Sequence, residues 1–498
     1  PHILFFHNKG YEVTTVTNGR DALDAISQQN FNLIILDENM PGISGLEALQ
    51  QIKIAQPNVP VIMITKSEEE NIMNQAIGSE IADYLIKPVN PMQILLSIKK
   101  NLHSEALVAQ KATSDYQQEF MSISQQIAMA RTIDDWYQLY NTLVRWELTL
   151  SNAETGMADM LRMQKQEANS AFAKMVKRNY EKWVTTDDHP LMSNEIFKTQ
   201  IFPHIDAGEK VCFIVIDNFR LDQWRTISPL LNDYFNIEKE ELYTTILPTA
   251  TQYARNAIFS GLMPIDIERM FPELWVDEDE DEGKNLNEAP LIQTILDRYR
   301  RKCKFSYNKL NDSAAGERLV QHFAQLKNFD LNVIVFNFVD ILSHARTESK
   351  MIRELAYTDE AYRSLTVTWF KNSYVLEIFK RIAEQGWKIV LTTDHGTTRV
   401  DNAIKVIGDK NTNTNLRYKV GKNLSYNPRQ VYEIKQPKRF GLPLLNVSST
   451  YIFASGRDFF AYPNNYNHYV QYYNDTFQHG GISMEEMLVP LITLTPKK

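Results

Sequence analysis

VLTTDHGTTR, residues 390–399, is a β-branched run that ends abruptly in Asp394, His395 and Gly396. The run is a strand by composition, and both side chains at its end can ligate a metal. Ordinary turns use Asp or Gly, seldom an Asp–His pair. The pair acquires meaning only from partners elsewhere in the chain, and the last three hundred residues supply them. The apolar part of VCFIVIDNFR (211–220) ends at Asp217. YTTILPTATQYARN (243–256) reads as a strand over 243–247, a break at Pro248 and a helix from near Thr251. LNVIVFNFVDILSHAR (331–346) runs to Asp340, with His344 four residues on. TFQHGGISMEEML (476–488) sets His479 before two glycines, and Ser483 with Glu486 has capping-box spacing. In an open parallel sheet such strand ends converge on one crevice. A single Asp or His there is a turn residue. Repeated at five strand ends or loop starts, they form a constellation of three Asp, three His and a Thr.

The first hundred residues carry the same alternation of strand and helix. FNLIILDENMPGISGLEAL (31–49) is apolar up to Leu36 and then turns acidic at Asp37. VPVIMIT ends at Thr65, and ADYLIKP ends at Lys87 and Pro88. A helix over 45–55 separates the first two. A doubly wound parallel sheet is the expected fold.

Between about Leu102 and Phe202 glycine is rare and apolar residues take helical spacing. Thr132 is a helix N-cap with Asp135 three residues on, followed by Trp136, Leu139, Tyr140, Leu143, Trp146 and Leu150 on one face. Residues 114–130 and 158–182 are helical as well. A bundle of three or more helices buries these faces. No helix-turn-helix with a basic recognition helix occurs, which excludes sequence-specific DNA binding as the expected output.

The 498 residues carry 53 basic and 61 acidic side chains, a net charge of −8 that argues against a whole-chain polyanion binder. Two cysteines, Cys212 within an apolar run and Cys303, make no disulfide framework and suit a reducing cytoplasm. No apolar run has the length of a membrane span, and no signal peptide is present. Residues 401–440 hold nine Lys or Arg against three acids, interleaved with Tyr418, Tyr426, Tyr432 and Phe440. That mixture suits a nucleic-acid backbone groove with stacking platforms, for which Lys419, Lys422 and Arg429 are candidates; a solvated hairpin is the alternative. DEDEDE (277–282) reads as a solvated loop.

D-x-x-M-P-G-x-x-G after Asp37, a strand-end Thr65 and Lys87-Pro88 resemble the receiver domain of bacterial response regulators over roughly residues 1–103. The resemblance implies Asp37 as phosphoacceptor, Thr65 as a phosphoryl hydrogen-bond partner, Tyr84 as the switch aromatic and Lys87 as the phosphoryl's cation. The family's first strand ends in an acidic pair that holds Mg²⁺. The sequence opens near the end of the first helix, so Mg²⁺ is expected only where that pair precedes it. Glu12, Asp21 and Asp24 come later and do not fit.

P-T-x-T, D-x-x-x-H, D-H-G and the late H-G-G resemble the PglZ branch of the alkaline phosphatase superfamily over about residues 200–498. The resemblance implies two Zn²⁺ per chain. One is held by Asp217, Asp394, His395 and the nucleophile Thr251, the other by Asp340, His344 and His479. Zinc accepts N/O ligands and keeps a position open for substrate, and two ions roughly 4 Å apart can clamp an in-line displacement. The family pattern prefers Thr251 over Thr249. Thr251 would sit at a helix N-terminus, where the dipole favours an alkoxide; the plain alternative is an N-cap. Arg255, one turn on, contacts a phosphate oxygen or forms a salt bridge. An arginine clamp has no counterpart here, which moves the expected substrate from monoesters to diesters. The sulfatase motif C-x-P-x-R is missing, and the related phosphomutases use Ser and Mn²⁺.

Receiver (1–103), helical bundle (104–202) and PglZ domain (203–498), in this order, resemble the response regulators linked to type IX secretion. That resemblance implies a sensor histidine kinase, a homodimer formed on phosphorylation, a sigma-factor partner and a cytoplasmic location. The expected function is a two-component regulator with a di-zinc phosphodiesterase acting on an oligonucleotide or cyclic nucleotide. The competing reading is a zinc-stabilised protein-binding module that signals to a transcription or sigma factor without catalysis.

Overall fold

The structure, a computed structural model, describes residues 2–66, 70–151, 155–277, 285–409 and 412–497. Its described residues divide into two compact units, one up to Asp115 and one from Tyr116 on. In the first, β1 (Ile34–Asp37), β2 (Val61–Thr65) and β3 (Asp83–Ile86) form a parallel sheet in that order. Helices α1 (His2–His7), α2 (Gly19–Gln28), α3 (Gly45–Ala55), α4 (Glu70–Gly78) and α5 (Pro91–Leu102) accompany it.

Alternate side chains of β2 enter two different cores. Val61 and Met63 pack with Ile26 of α2, Leu49 of α3 and Ala76 of α4. Ile62 and Ile64 pack with Phe6 of α1 and with Ile94 and Ile98 of α5. A strand buried on both faces by helices is what a doubly wound sheet requires, and it explains why VIMIT shows no polar alternation. The turn after β1 passes under α3: a Cβ on Gly45 would lie 2.6 Å from the Asp37 backbone oxygen. At the carboxyl ends, Lys87 Nζ ion-pairs with Asp37, and Asn39 N donates to Asp37 Oδ1 at 3.1 Å. Thr65 is fully buried, and Tyr84 packs half-buried against the α2–α4 core.

Three long helices follow: α6 (Ser104–Met129), α7 (Ile133–Thr149) and α8 (Thr155–Thr185). The first starts well before the expected segment, and the last outruns its own at both ends. Thr132 caps α7 in a complete capping box with Asp135, and the stripe from Trp136 to Leu150 is buried. Gln164 of α8 pins α6: it accepts from Tyr116 Oη at 3.0 Å and donates to Phe120 O at 3.0 Å and Ser124 Oγ at 2.9 Å.

The remaining sheet has six strands, β4 (Val211–Ile216), β5 (Phe235–Thr244), β6 (Phe305–Leu310), β7 (Leu331–Phe336), β8 (Lys388–Thr392) and β12 (Leu488–Pro496). Their order is β5-β12-β8-β4-β7-β6. The four strands from β8 to β6 are parallel, and β12 runs antiparallel to both its neighbours. All six residues of β4 are fully buried, as befits the middle of a parallel sheet. Register pairs Ile216 with Phe336 and Val215 with Thr392, so β4, β7 and β8 end level. Between β8 and β12 lies a small antiparallel sheet of β9 (Tyr418–Gly421), β10 (Tyr432–Ile434) and β11 (Thr450–Phe453).

Two boundaries differ from expectation. The strand expected at 243–247 is β5, which starts eight residues earlier and stops at Thr244. Residues 236–241 of β5 are exposed and mostly charged or polar, the composition that keeps a sheet edge from pairing with other chains. The run expected to extend as a strand to Asp340 stops at Phe336. A helix, α10 (Phe338–Glu348), begins at once and carries Asp340 in its first turn.

Candidate metal centre

The level ends of β4, β7 and β8 deliver their side chains to one place. Asp217 follows β4 directly, and Asp394 and His395 follow the end of β8 by two and three residues. Asp340 and His344 share one face of α10 at i,i+4 spacing. The donor atoms of Asp217, Asp394 and His395 lie within 4.8 Å of one another, and so do those of Asp340, His344 and His479. The first group is wholly buried, whereas His344 in the second leaves 59% of its side chain exposed. The rings of His395 and His479 stack at 4.2 Å between centroids, 17° from parallel, and join the two groups into one centre.

These residues fit two cations. His395 Nδ1 meets Gly396 O at 3.1 Å and His479 Nδ1 meets Thr249 O at 3.1 Å, which places the proton on Nδ1 and leaves Nε2 to ligate. His395 Nε2 lies 3.7 Å from Asp217 Oδ1 and 3.9 Å from Asp394 Oδ2. Asp340 lies 3.4 Å from His344 Nε2 and 3.6 Å from His479 Nε2. Ligands 2.0–2.1 Å from a tetrahedral ion sit roughly 3.3 Å apart, so modest closure completes either set.

Electrostatics point the same way. Burial raises the Asp217 carboxyl far above its usual range despite Arg255, and the neighbouring Asp394 and Asp340 add to the rise. Burial also works against the charge on Asp394, but Arg255 and His395 outweigh it and hold the carboxyl at about 2. Burial, and then His395, push His479 down to about 3, which keeps its imidazole neutral. Negative charge concentrated in a buried place is complementary to a cation.

Thr251 opens α9 (Thr251–Ser260), whose N-cap is Ala250, so the Thr251 hydroxyl is not spent on capping. Its Oγ1 lies 3.1 Å from His395 Nε2 and 3.4 Å from Asp217 Oδ1. Thr249 is occupied elsewhere: its hydroxyl donates to Gly481 O and accepts from Gly480 N, both at 2.9 Å. Of the two readings of Arg255, the salt bridge is the one realised. The fully buried guanidinium pairs with Asp217, donates through Nε to Asp394 at 3.0 Å and lies 3.2 Å from Glu288.

Sequence reasoning passed over Asn218 and Glu288. Asn218, at φ +60°, turns its backbone N toward Asp394 Oδ1 at 3.4 Å and its Nδ2 to Asp340 Oδ1 at 3.1 Å, touching both groups. The signal was its position after a strand-end Asp, since Asn tolerates that backbone. Glu288 offered none, being 33 residues from Arg255 in sequence.

Lys419 is not a groove residue. It is buried in β9, where Nζ donates to Asn413 O at 2.7 Å and stands 5.2 Å over the Tyr462 ring. Its neighbour Arg417 is buried too, bidentate to Glu486 at 2.6 and 3.0 Å. Lys422 and Arg429 are exposed. Lys410 and residues 278–282 of the acidic run lie outside the described residues. The Ser483 box is half-formed: Glu486 N donates to Ser483 Oγ at 3.1 Å, while the Glu486 carboxylate serves Gly481 N and Arg417.

The Gly of D-H-G has a steric cause. A Cβ on Gly396 would fall 1.9 Å from the backbone oxygen of Glu485. Gly396→Ala is therefore expected to cost roughly 1–3 kcal/mol, the upper end because the obstacle is main chain, and to swing His395 away. Urea unfolding together with metal content checks this; a variant with native stability and loading would contradict it.

Residues 196–494 match the family model for the BREX system PglZ alkaline phosphatase-like domain. Residues 106–184 match the PorX response regulator linker domain, and residues 3–99 the response regulator receiver domain. Among curated relatives, the transcriptional regulatory protein PhoP of Bacillus subtilis is 28% identical over 28% of this chain and 58% of its own. YkoG of the same organism, an uncharacterized transcriptional regulatory protein, is 34% identical over 19% of this chain and 41% of its own. ZraR of Klebsiella oxytoca is 28% identical over 25% and 28%. The chain thus spans less than two thirds of each. A CheY-like receiver structure from Methanospirillum hungatei is 27% identical over 21% of this chain and 82% of its own, with a TM-score of 0.20.

Proposed function

We propose that this chain, which belongs to the PglZ alkaline phosphatase-like family and has the receiver and linker of PorX-like response regulators, is a phosphorylation-controlled di-zinc phosphodiesterase. Residues 1–103, 104–202 and 203–498 are its receiver, linker and effector. One observation carries the reading: a hydroxyl not used for capping, Thr251 Oγ1, stands 3.1 Å from a histidine of one ligand group, whose ring stacks on a histidine of the other.

Asp217, Asp394, His395 and Thr251 would hold one zinc, and Asp340, His344 and His479 the other. Bound there, two zinc ions supply Lewis-acid charge for in-line displacement at phosphorus. Thr251 sits at the positive end of α9, which favours its deprotonated oxygen and the incoming phosphoryl group. Thr251 Oγ1 forms the new bond to phosphorus as the ester oxygen leaves, and water then releases the phosphoryl group from Thr251. Arg255 stays out of this chemistry and balances the carboxylates instead.

Asp37 is the phosphoacceptor in this reading, with Lys87, Thr65 and Tyr84 around it and a sensor histidine kinase as donor. Dimerisation on phosphorylation, a sigma-factor partner, control of type IX secretion and a cytoplasmic location complete the proposal. Among the described residues no helix is long and apolar enough to cross a membrane.

The test is elemental analysis with hydrolysis of bis-p-nitrophenyl phosphate. About two zinc ions per chain are expected, and chelation should lower turnover roughly 100-fold or more until zinc is restored. Undiminished turnover after full chelation would refute the proposal.

The substrate is proposed to be an oligonucleotide or cyclic nucleotide, with the exposed Lys422 and Arg429 on its path. Changing both to Glu should raise KM for oligonucleotides several-fold while leaving a small chromogenic diester unaffected. Equal effects on both substrates would remove these residues from the path.

A further inference from the structure

Both histidine loops hang from one short turn, α12 (Met484–Met487). Gly396 N, next to His395, donates to Glu486 O at 3.1 Å. Gly481 N, two residues after His479, donates to Glu486 Oε1 at 2.9 Å. Whatever fixes residues 484–486 therefore fixes both imidazoles.

Part of what fixes them comes from the helical linker, hundreds of residues away in sequence. Asn169 of α8 is 4% exposed and grips this turn twice: its Oδ1 accepts from Met484 N at 2.8 Å, and its Nδ2 donates to Glu485 Oε2 at 2.9 Å. One turn earlier on α8, Lys165 Nζ reaches Glu485 Oε1 at 3.2 Å and Glu147 of α7 at 2.6 Å. Glu147 in turn holds Arg363, on the helix α11 (Asp359–Asn372), at 2.8 Å. Arg363 pairs with Asp222, which pairs with Arg220, and the Arg220 Cγ would lie 3.4 Å from a Cβ on Gly396. Two of these ion pairs, Lys165–Glu485 and Arg363–Glu147, cross between linker and effector, while Asp222 and Arg220 continue the chain within the effector, all in a mostly buried setting. A buried polar network of this kind specifies one geometry rather than adding bulk stability.

We infer that Asn169 and Lys165 are positioning residues for the metal centre, so that linker helix α8 is a working wall of the effector site and a shift of α8 alters the placement of His395 and His479. The inference rests on the functional reading only in taking those two histidines as working groups.

Gln164 provides an internal control. It is on the same helix and buried, but its bonds go to α6 and not to residues 484–486. Hydrogen–deuterium exchange of the whole protein, followed by mass spectrometry of peptides containing Gly396 and Gly481, reads both amides directly and needs no substrate. In Asn169→Leu these peptides should exchange about tenfold faster than wild type, and in Gln164→Leu within about twofold of it. Lys165→Met should reproduce the Asn169 result more weakly, and Lys165→Arg should restore protection. Wild-type exchange in Asn169→Leu and Lys165→Met would overturn the inference, as would equal acceleration in Gln164→Leu. Since exchange is measured without turnover, an inactive wild type would refute the functional reading while leaving this result interpretable.

Discussion

Thr251→Val is expected to lower kcat for diester hydrolysis by on the order of 10³-fold or more while leaving metal content and fold intact. The substitution keeps the shape of the side chain and removes only its oxygen. Ala250 is the N-cap of α9, so the helix loses no cap, and the hydroxyl's two contacts, at 3.1 and 3.4 Å, are worth about 1 kcal/mol or less. Thr249→Val should do the reverse. Its hydroxyl joins the turn at Gly480 and Gly481 from a fully buried position, so stability should fall by roughly 1–3 kcal/mol. Activity of Thr251→Val within tenfold of wild type would eliminate Thr251 as the nucleophile. Should signalling persist in an inactive Thr251→Val chain, the binding-module reading would account for the output.

Arg255→Met should give the largest loss of stability. The guanidinium is fully buried among Asp217, Asp394 and Glu288. Removing one partner of a buried ion pair strands the other, at roughly 3–5 kcal/mol, and here three carboxylates lose their common cation. Lys309, 3.0 Å from Glu288, offsets part of this for one of them. The loss should be largest in chelator and shrink when zinc is supplied, because bound metal substitutes for the missing charge beside Asp217 and Asp394. Urea unfolding in the two conditions measures both terms. A loss below about 1 kcal/mol in chelator would mean that these carboxylates are neutral in the folded chain and need no cation.

Asp340, His344 and His479 were marked by their motifs, whereas Asp217, Asp394 and His395 lie where an apolar run stops, and such runs are the strongest local signal a chain carries. Receiver positions Asp37, Thr65 and Lys87 were readable for the same reason. What escaped was anything fixed by distant pairing. Lys419 was counted as a surface charge, whereas the small sheet folds it inward onto Asn413 and Tyr462. Arg417 is held by Glu486, 69 residues away, and Arg255 by Glu288, 33 residues away. No local pattern marks such partners. Strand β5 was misplaced because a charged edge strand has the composition of a loop. The capping box at Ser483 had the right spacing, but the Glu486 carboxylate was claimed by Arg417 and Gly481.

If the two groups hold zinc as proposed, their unequal burial bears on how each ion is kept. An ion among Asp217, Asp394 and His395 would be enclosed, since no side chain of that set is exposed, whereas one held by His344 would face solvent. In the proposed di-zinc reading, the enclosed ion would leave slowly and behave as a permanent constituent. Its neighbour would trade with the surroundings on a shorter timescale, so that a singly loaded chain would become a standing species whose abundance follows the free zinc level. Turnover would then report metal supply as well as phosphorylation.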